Sequence, residues 1–163
     1  MHDMLVRLYA MPDPAPALAR VVQQGVSIRR PEIRERTLVA DWVRSTFSEG
    51  WAEECEAAFA MRPVACFVAI HGDALVGFAC HDCTRRNFFG PAGVLASARG
   101  QGIGAALTLT ALAAMREEGY GYAIIGGVGP AEFYSKVAGA TPIDGSTPGI
   151  YDFSLMTRGA RSR

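Results

Sequence analysis

The chain has 163 residues, half of them hydrophobic and a fifth charged, with a formal net charge of zero. One domain of this length buries a substantial core, and such a composition is ordinary for a globular protein. The charge balance excludes a chain that is basic throughout, so no nucleic-acid partner is expected, and no apolar run reaches the roughly 18 residues that point to a membrane span.

Residues 1–11 hold Asp3 and Arg7 and lack an apolar core of signal-peptide length, so a cytoplasmic location is expected. Cys55, Cys66, Cys80 and Cys83 fall on expected helices or strands and read as buried thiols of a reducing compartment. Lys136 is the only lysine, so arginine carries nearly all the positive charge; its planar fork suits phosphate.

Residues 1–24 read as an appendage to a main domain over 25–163. They comprise a short strand over 4–9, a stiff linker through Pro12, Pro14 and Pro16, and a helical turn over 17–24 stopped by Gly25. An exposed sheet edge accepts such a strand from its own or another chain, so a homodimer is expected. Val26-Ser27-Ile28-Arg29 alternates apolar and polar residues and predicts a strand. Pro31 opens a predicted helix to about Phe47, with Ile33, Leu38, Val39, Trp42, Val43 and Phe47 as its apolar stripe. Gly50 breaks the pattern, and 51–60 predicts a second helix with Glu53, Glu54 and Glu56 on an acidic face.

The nearly continuous apolar run 64–70, the turn His71-Gly72-Asp73 and the run 74–82 predict a hairpin. A third strand is expected over 88–96, interrupted at Gly90-Pro91. Residues 102–118 form the clearest helix, since Ile103, Leu107, Ala111 and Met115 recur every four residues. A buried strand over 120–127, a short helix over 130–137 and a last strand over 150–156 complete an α/β (α+β) chain with a mixed sheet and helices packed on it.

The loop Arg99-Gly100-Gln101-Gly102-Ile103-Gly104 joins a strand to that helix. The first helical turn carries N–H groups without intrahelical partners, and the helix dipole adds positive charge there. Glycines let a phosphate approach the backbone, and Arg99 adds charge-assisted bonds. A tight strand-to-helix turn that simply needs glycine is the alternative. Gly100, Gly102 and Gly104 do not have the G-x-G-x-x-G spacing of a dinucleotide fold, and no lysine stands where a P-loop needs one.

Arg99-x-x-Gly102-x-Gly104 resembles the acyl-CoA-binding motif of GNAT N-acetyltransferases, and Glu132-Phe133-Tyr134-Ser135-Lys136 resembles the family's second block. The runs 88–94, 119–134 and 145–151 are also similar to a bacterial GNAT-like subgroup of unassigned substrate. The second block departs from the family pattern: Gly129-Pro130 replaces a common asparagine, Ala138 is inserted before Gly139, and Ala140 replaces an aromatic.

The resemblance implies a mostly antiparallel sheet splayed at the CoA site, with helices on both faces. It implies acetyl-CoA as cosubstrate, no metal, and direct attack by a primary amine. Gly100, Gln101, Gly102, Ile103, Gly104 and Ala105 would hold the pyrophosphate with Arg99. Val94 and Ala96 would pair with the pantetheine arm, and an N–H near Val94 or Leu95 would face the oxyanion. Tyr134 matches the family's general acid.

Asp82 and Glu54 are candidates for the acceptor end, weighed against solvated carboxylates. Cys80-His81-Asp82-Cys83 does not read as a metal site, because its side chains alternate faces and no second pair completes it. The other function class left open is a non-catalytic acyl-CoA-binding sensor. The acceptor itself (small amine, amino acid, antibiotic, peptide N-terminus or protein lysine) is not legible.

Overall fold

The computed structural model describes residues 2–150. The predicted hairpin is its centre: β3 (Cys66–His71) pairs antiparallel with β4 (Ala74–His81). Both faces of β3 are buried, which is why its sequence is apolar at nearly every position. Phe67 and Ala69 face one core, while Cys66 and Val68 face the other.

On the outer side of β3 lies β2 (Val26–Arg29), antiparallel to it; on the inner side of β4 lies β5 (Phe88–Val94). The chain then crosses over through α4 (Ile103–Glu117) to β6 (Tyr122–Ile125), which runs parallel to β5, a connection that parallel strands require. Two further strands, β1 (Met4–Arg7) and β7 (Thr141–Pro142), finish the sheet in the order β2-β3-β4-β5-β6-β1-β7.

The segment expected as an appendage therefore supplies an interior strand. β1 pairs antiparallel with β6 on one side and β7 on the other. Met4, Val6 and Leu8 are fully buried in the main core. At Met4 and Leu5 both edges of β1 are taken within its own chain, so those residues are not open to a strand from a second copy. After a 3-10 turn at Leu8–Ala10, α1 (Ala15–Gln23) begins earlier than expected, because Pro16 fits the first turn and Asp13 Oδ1 accepts a hydrogen bond from Ala15 N–H at 2.9 Å.

Helices cover both faces. α1, α4 and α5 (Ala131–Ala138) lie on one, with Ile103, Leu107, Ala111 and Met115 buried as their spacing predicts. α2 (Arg36–Thr46) and α3 (Glu49–Ala58) lie on the other, over Phe78, Cys66 and Cys80.

Two helix boundaries differ from expectation. A capping box between Glu32 and Glu35 makes Ile33–Glu35 a 3-10 turn, and α2 restarts at Arg36 with Val39, Ala40 and Val43 inward. Ile33 and Leu38, expected in the stripe, are thereby exposed. Gly50 does not break a helix; it sits in the first turn of α3, which Ser48 caps by accepting from Trp51 N–H at 3.2 Å. The strand expected over 150–156 lies outside the described residues beyond Ile150. Among the described residues no helix is long and apolar enough to cross a membrane.

Candidate active site

The sheet parts beside α4. β5 pairs with β6 only at Phe88↔Ile124 and Phe89↔Ile125, whereas Ala92, Gly93 and Val94 pair with β4 alone. The cause is local. Between the pairs Ala79↔Ala92 and His81↔Phe89, β5 holds one residue more than β4, a bulge at Gly90-Pro91 where proline is tolerated in a strand. Gly93 lets the opposite face close up, since a Cβ there would stand 2.6 Å from the Phe47 ring.

Leu95 N–H donates to Val76 O at 2.8 Å, so its donor is committed to β4. In an antiparallel ladder successive residues turn their N–H groups to opposite sides. The N–H groups of Val94 and Ala92 therefore face the gap. Of the two donors expected near the oxyanion, Val94 alone is free to serve. Ala96, expected to continue the strand, begins an exposed 3-10 turn instead.

A cavity of about 690 Å³ fills this gap. Its floor is the start of α4. Ala106 N–H makes the first helical bond, to Gly102 O at 3.0 Å, which leaves the N–H groups of Ile103, Gly104 and Ala105 without carbonyls in the preceding turn. Gly102 caps the helix at φ +87°, a conformation glycine adopts at little cost. Arg99, Gly100, Gly102, Ile103, Gly104 and Ala105 all border the cavity, as do Val94 and Ala92; Gln101 is exposed and does not.

Sequence reasoning missed Arg20. Its side chain borders the same cavity, and its Cδ and Nε lie 3.8 Å from where a Cβ on Gly102 would stand. Among the described residues its guanidinium makes no hydrogen bond or ion pair, while Arg99 Nε donates to Val94 O at 3.2 Å. Two guanidiniums thus flank one helix N-terminus. No local signal links Arg20 to the loop, because only the packing of α1 on α4 brings them together.

A second cavity of about 590 Å³ adjoins the first, with Trp51, Ala92, Pro130 and Tyr134 in the walls of both. Tyr134 packs edge-on against Phe89, with ring centres 6.0 Å apart, and against Phe133, at 5.0 Å. Burial pushes its phenol above the usual value of 10.0. Glu54 lines the second cavity, half-buried.

Asp82 does not border either cavity. It lies at φ +58° in the β4–β5 turn, accepts from Asn87 N–H at 2.6 Å, and borders a separate cavity of about 190 Å³ with Glu118. Tyr134 and Glu54 thus line one cavity, and Asp82 stands apart from it. Cys55, Cys66 and Cys80 converge in the core beneath α3, their sulfurs within 4.8 Å of one another.

Residues 36–139 match the model of the acetyltransferase (GNAT) family, more than half of the chain, and the chain belongs to that family. A glucosamine N-acetyltransferase region of a fungal multi-domain beta-N-acetylglucosaminidase is similar at a TM-score of 0.70 and 17% identity, over 87% of this chain and 19% of the other. A GCN5-related N-acetyltransferase from Sphaerobacter thermophilus is similar at 0.58 and 17% identity, over 87% of this chain and 48% of the other. A tandem GNAT protein from the clavulanic acid biosynthesis pathway is similar at 0.54 and 16%, over 86% and 49%. The chain spans about half the length, or less, of these structures, and likeness at such identity is a likeness of fold. No curated protein matches the chain.

Proposed function

We propose that this chain transfers an acetyl group from acetyl-CoA to a primary amine by direct attack. The observation that carries the reading is the parted sheet, whose gap joins a two-arginine phosphate cradle to a cavity holding Tyr134 and Glu54. The residues suit the thioester. The free N–H groups of Ile103, Gly104 and Ala105, with Arg20 and Arg99, would hold the pyrophosphate at the positive end of α4. The gap-facing N–H groups of Ala92 and Val94 would pair with the pantetheine amides as an added strand does.

The chain's groups then divide the proton work. Glu54 takes a proton from the bound ammonium, directly or through water, and frees its lone pair. The amine nitrogen bonds to the thioester carbon while Val94 N–H faces the developing oxyanion. The C–S bond breaks, Tyr134, held protonated by its burial, donates its proton to the departing thiolate, and the second proton of the amine nitrogen, lost as the amide forms, restores the phenol through water. Supporting this order, a phenol above 10 is fully protonated at neutral pH.

The test is release of free thiol from acetyl-CoA in the presence of an amine panel, with acetyl-CoA binding measured in parallel by calorimetry. Turnover that falls about a hundredfold to ten-thousandfold in Tyr134→Phe, with acetyl-CoA affinity retained, is the expected result. Binding without turnover on any amine would make the chain a sensor of acyl-CoA instead.

A further inference from the structure

The second cavity is chemically one-sided. Its walls are aromatic and aliphatic, with Trp51, Phe88, Phe89 and Ile125 among them. Glu54 is the one charged side chain among its described lining residues, and its carboxylate makes no hydrogen bond or ion pair there. No arginine, lysine or histidine joins it in that lining. The glycine-rich loop after β6 offers backbone donors, but two are already taken: Gly127 N–H donates to Asp3 Oδ1 at 2.8 Å, and Val128 N–H to His2 O at 3.0 Å.

An unpaired carboxylate in an apolar cleft attracts a cation and repels an anion, and the low dielectric strengthens both effects. A substrate carboxylate or phosphate entering this cavity would lose its water and meet Glu54 without a positive partner among the described lining residues. We propose that the acceptor is a primary amine on an uncharged apolar body, of the aralkylamine or alkylamine class. Its ammonium sits at Glu54 and its body lies against the aromatic wall. Amino acids and phosphorylated amines are rejected by the same carboxylate, an exclusion built from an uncompensated charge rather than from shape. This inference rests on the acetyl-transfer reading for its chemistry, but its binding component stands apart from it.

Three matched amines separate the possibilities: phenethylamine, phenylalaninamide and phenylalanine. Binding to the acetyl-CoA-loaded protein is followed by tryptophan fluorescence, because Trp51 lines both cavities, and turnover by free thiol. Phenethylamine and the neutral amide are expected to bind and react with kcat/KM about a hundredfold above phenylalanine, the scale of a charge left without its partner. In Glu54→Gln the binding of phenethylamine weakens and the discrimination against phenylalanine shrinks. Equal or better use of phenylalanine, or no binding by any of the three, overturns the inference. Ranked binding without thiol release keeps the acceptor class and removes the transfer reading.

Discussion

Asp3 and Gly127 stand 124 residues apart in the chain and 2.8 Å apart in the fold, the Asp3 carboxylate accepting the hydrogen bond of Gly127 N–H. Asp3 is 7% exposed, and its backbone also receives Ile143 N–H and donates to Ser146 Oγ. One residue just ahead of β1 therefore fastens both the loop that walls the second cavity and the segment after β7. Asp3→Ala leaves the Gly127 donor without its charged acceptor, and about 1.5–3 kcal/mol of stability should be lost in urea unfolding. KM for the amine should rise more than KM for acetyl-CoA, since the released loop borders the acceptor side.

Arg20 and Arg99, far apart in the chain, border the same cavity at the start of α4, the proposed phosphate cradle. Each replacement by glutamine should weaken CoA binding about tenfold, or about 1.4 kcal/mol, by calorimetry. The loss should shrink as salt is raised, because the guanidiniums are exposed. Acetyl-pantetheine lacks the pyrophosphate and should bind both variants like the parent. If Arg20→Gln binds CoA unchanged while Arg99→Gln does not, α1 has no part in the cradle.

Gly104 offers a test free of backbone strain. A Cβ there would meet Phe133 at 3.5 Å and Val94 at 3.6 Å, ordinary contacts, so Gly104→Val should fold while its branches fill the cavity. CoA affinity should fall tenfold or more. Gly102→Val should lose affinity too, but with a stability cost of about 1–2 kcal/mol from its left-handed backbone, visible as a lower melting temperature.

His81 is fully buried with both ring nitrogens unpartnered; Asp82 and Glu118 stand 3.6 and 3.8 Å away, too far for hydrogen bonds. Burial pushes its pKa below the usual 6.5 despite those carboxylates. Below pH 6.5 the unfolded chain takes up a proton that folded His81 refuses. Its contribution is therefore present above 6.5 and lost as pH falls through the depressed folded value. Melting temperature should drop between pH 7 and 5, and His81→Leu should flatten that slope. At pH 7 the variant should match the parent or exceed it by about 1 kcal/mol, having lost two unsatisfied polar atoms. An unchanged slope would assign the acid sensitivity to other groups.

The sequence alone determined the elements whose signals are local. Ile103, Leu107, Ala111 and Met115 set the buried face of α4, and Gly102 and Gly104 marked its start, because helical period and turn chemistry act within a few residues. Tyr134 was legible for a different reason, its place in a motif. What only the tertiary structure decided lies in pairings between distant segments. β1 reads as a short strand anywhere, yet its place between β6 and β7 depends on which edges the rest of the sheet leaves open. Arg20 is one arginine among many until α1 packs on α4 and carries it to Gly102. Glu54 and Asp82 are both candidates by sequence; α3 sets one in the wall of a cavity that Tyr134 also lines, and the β4–β5 turn holds the other on Asn87 N–H. Such choices are sums of many weak contacts between residues far apart in the chain, and no local pattern records them.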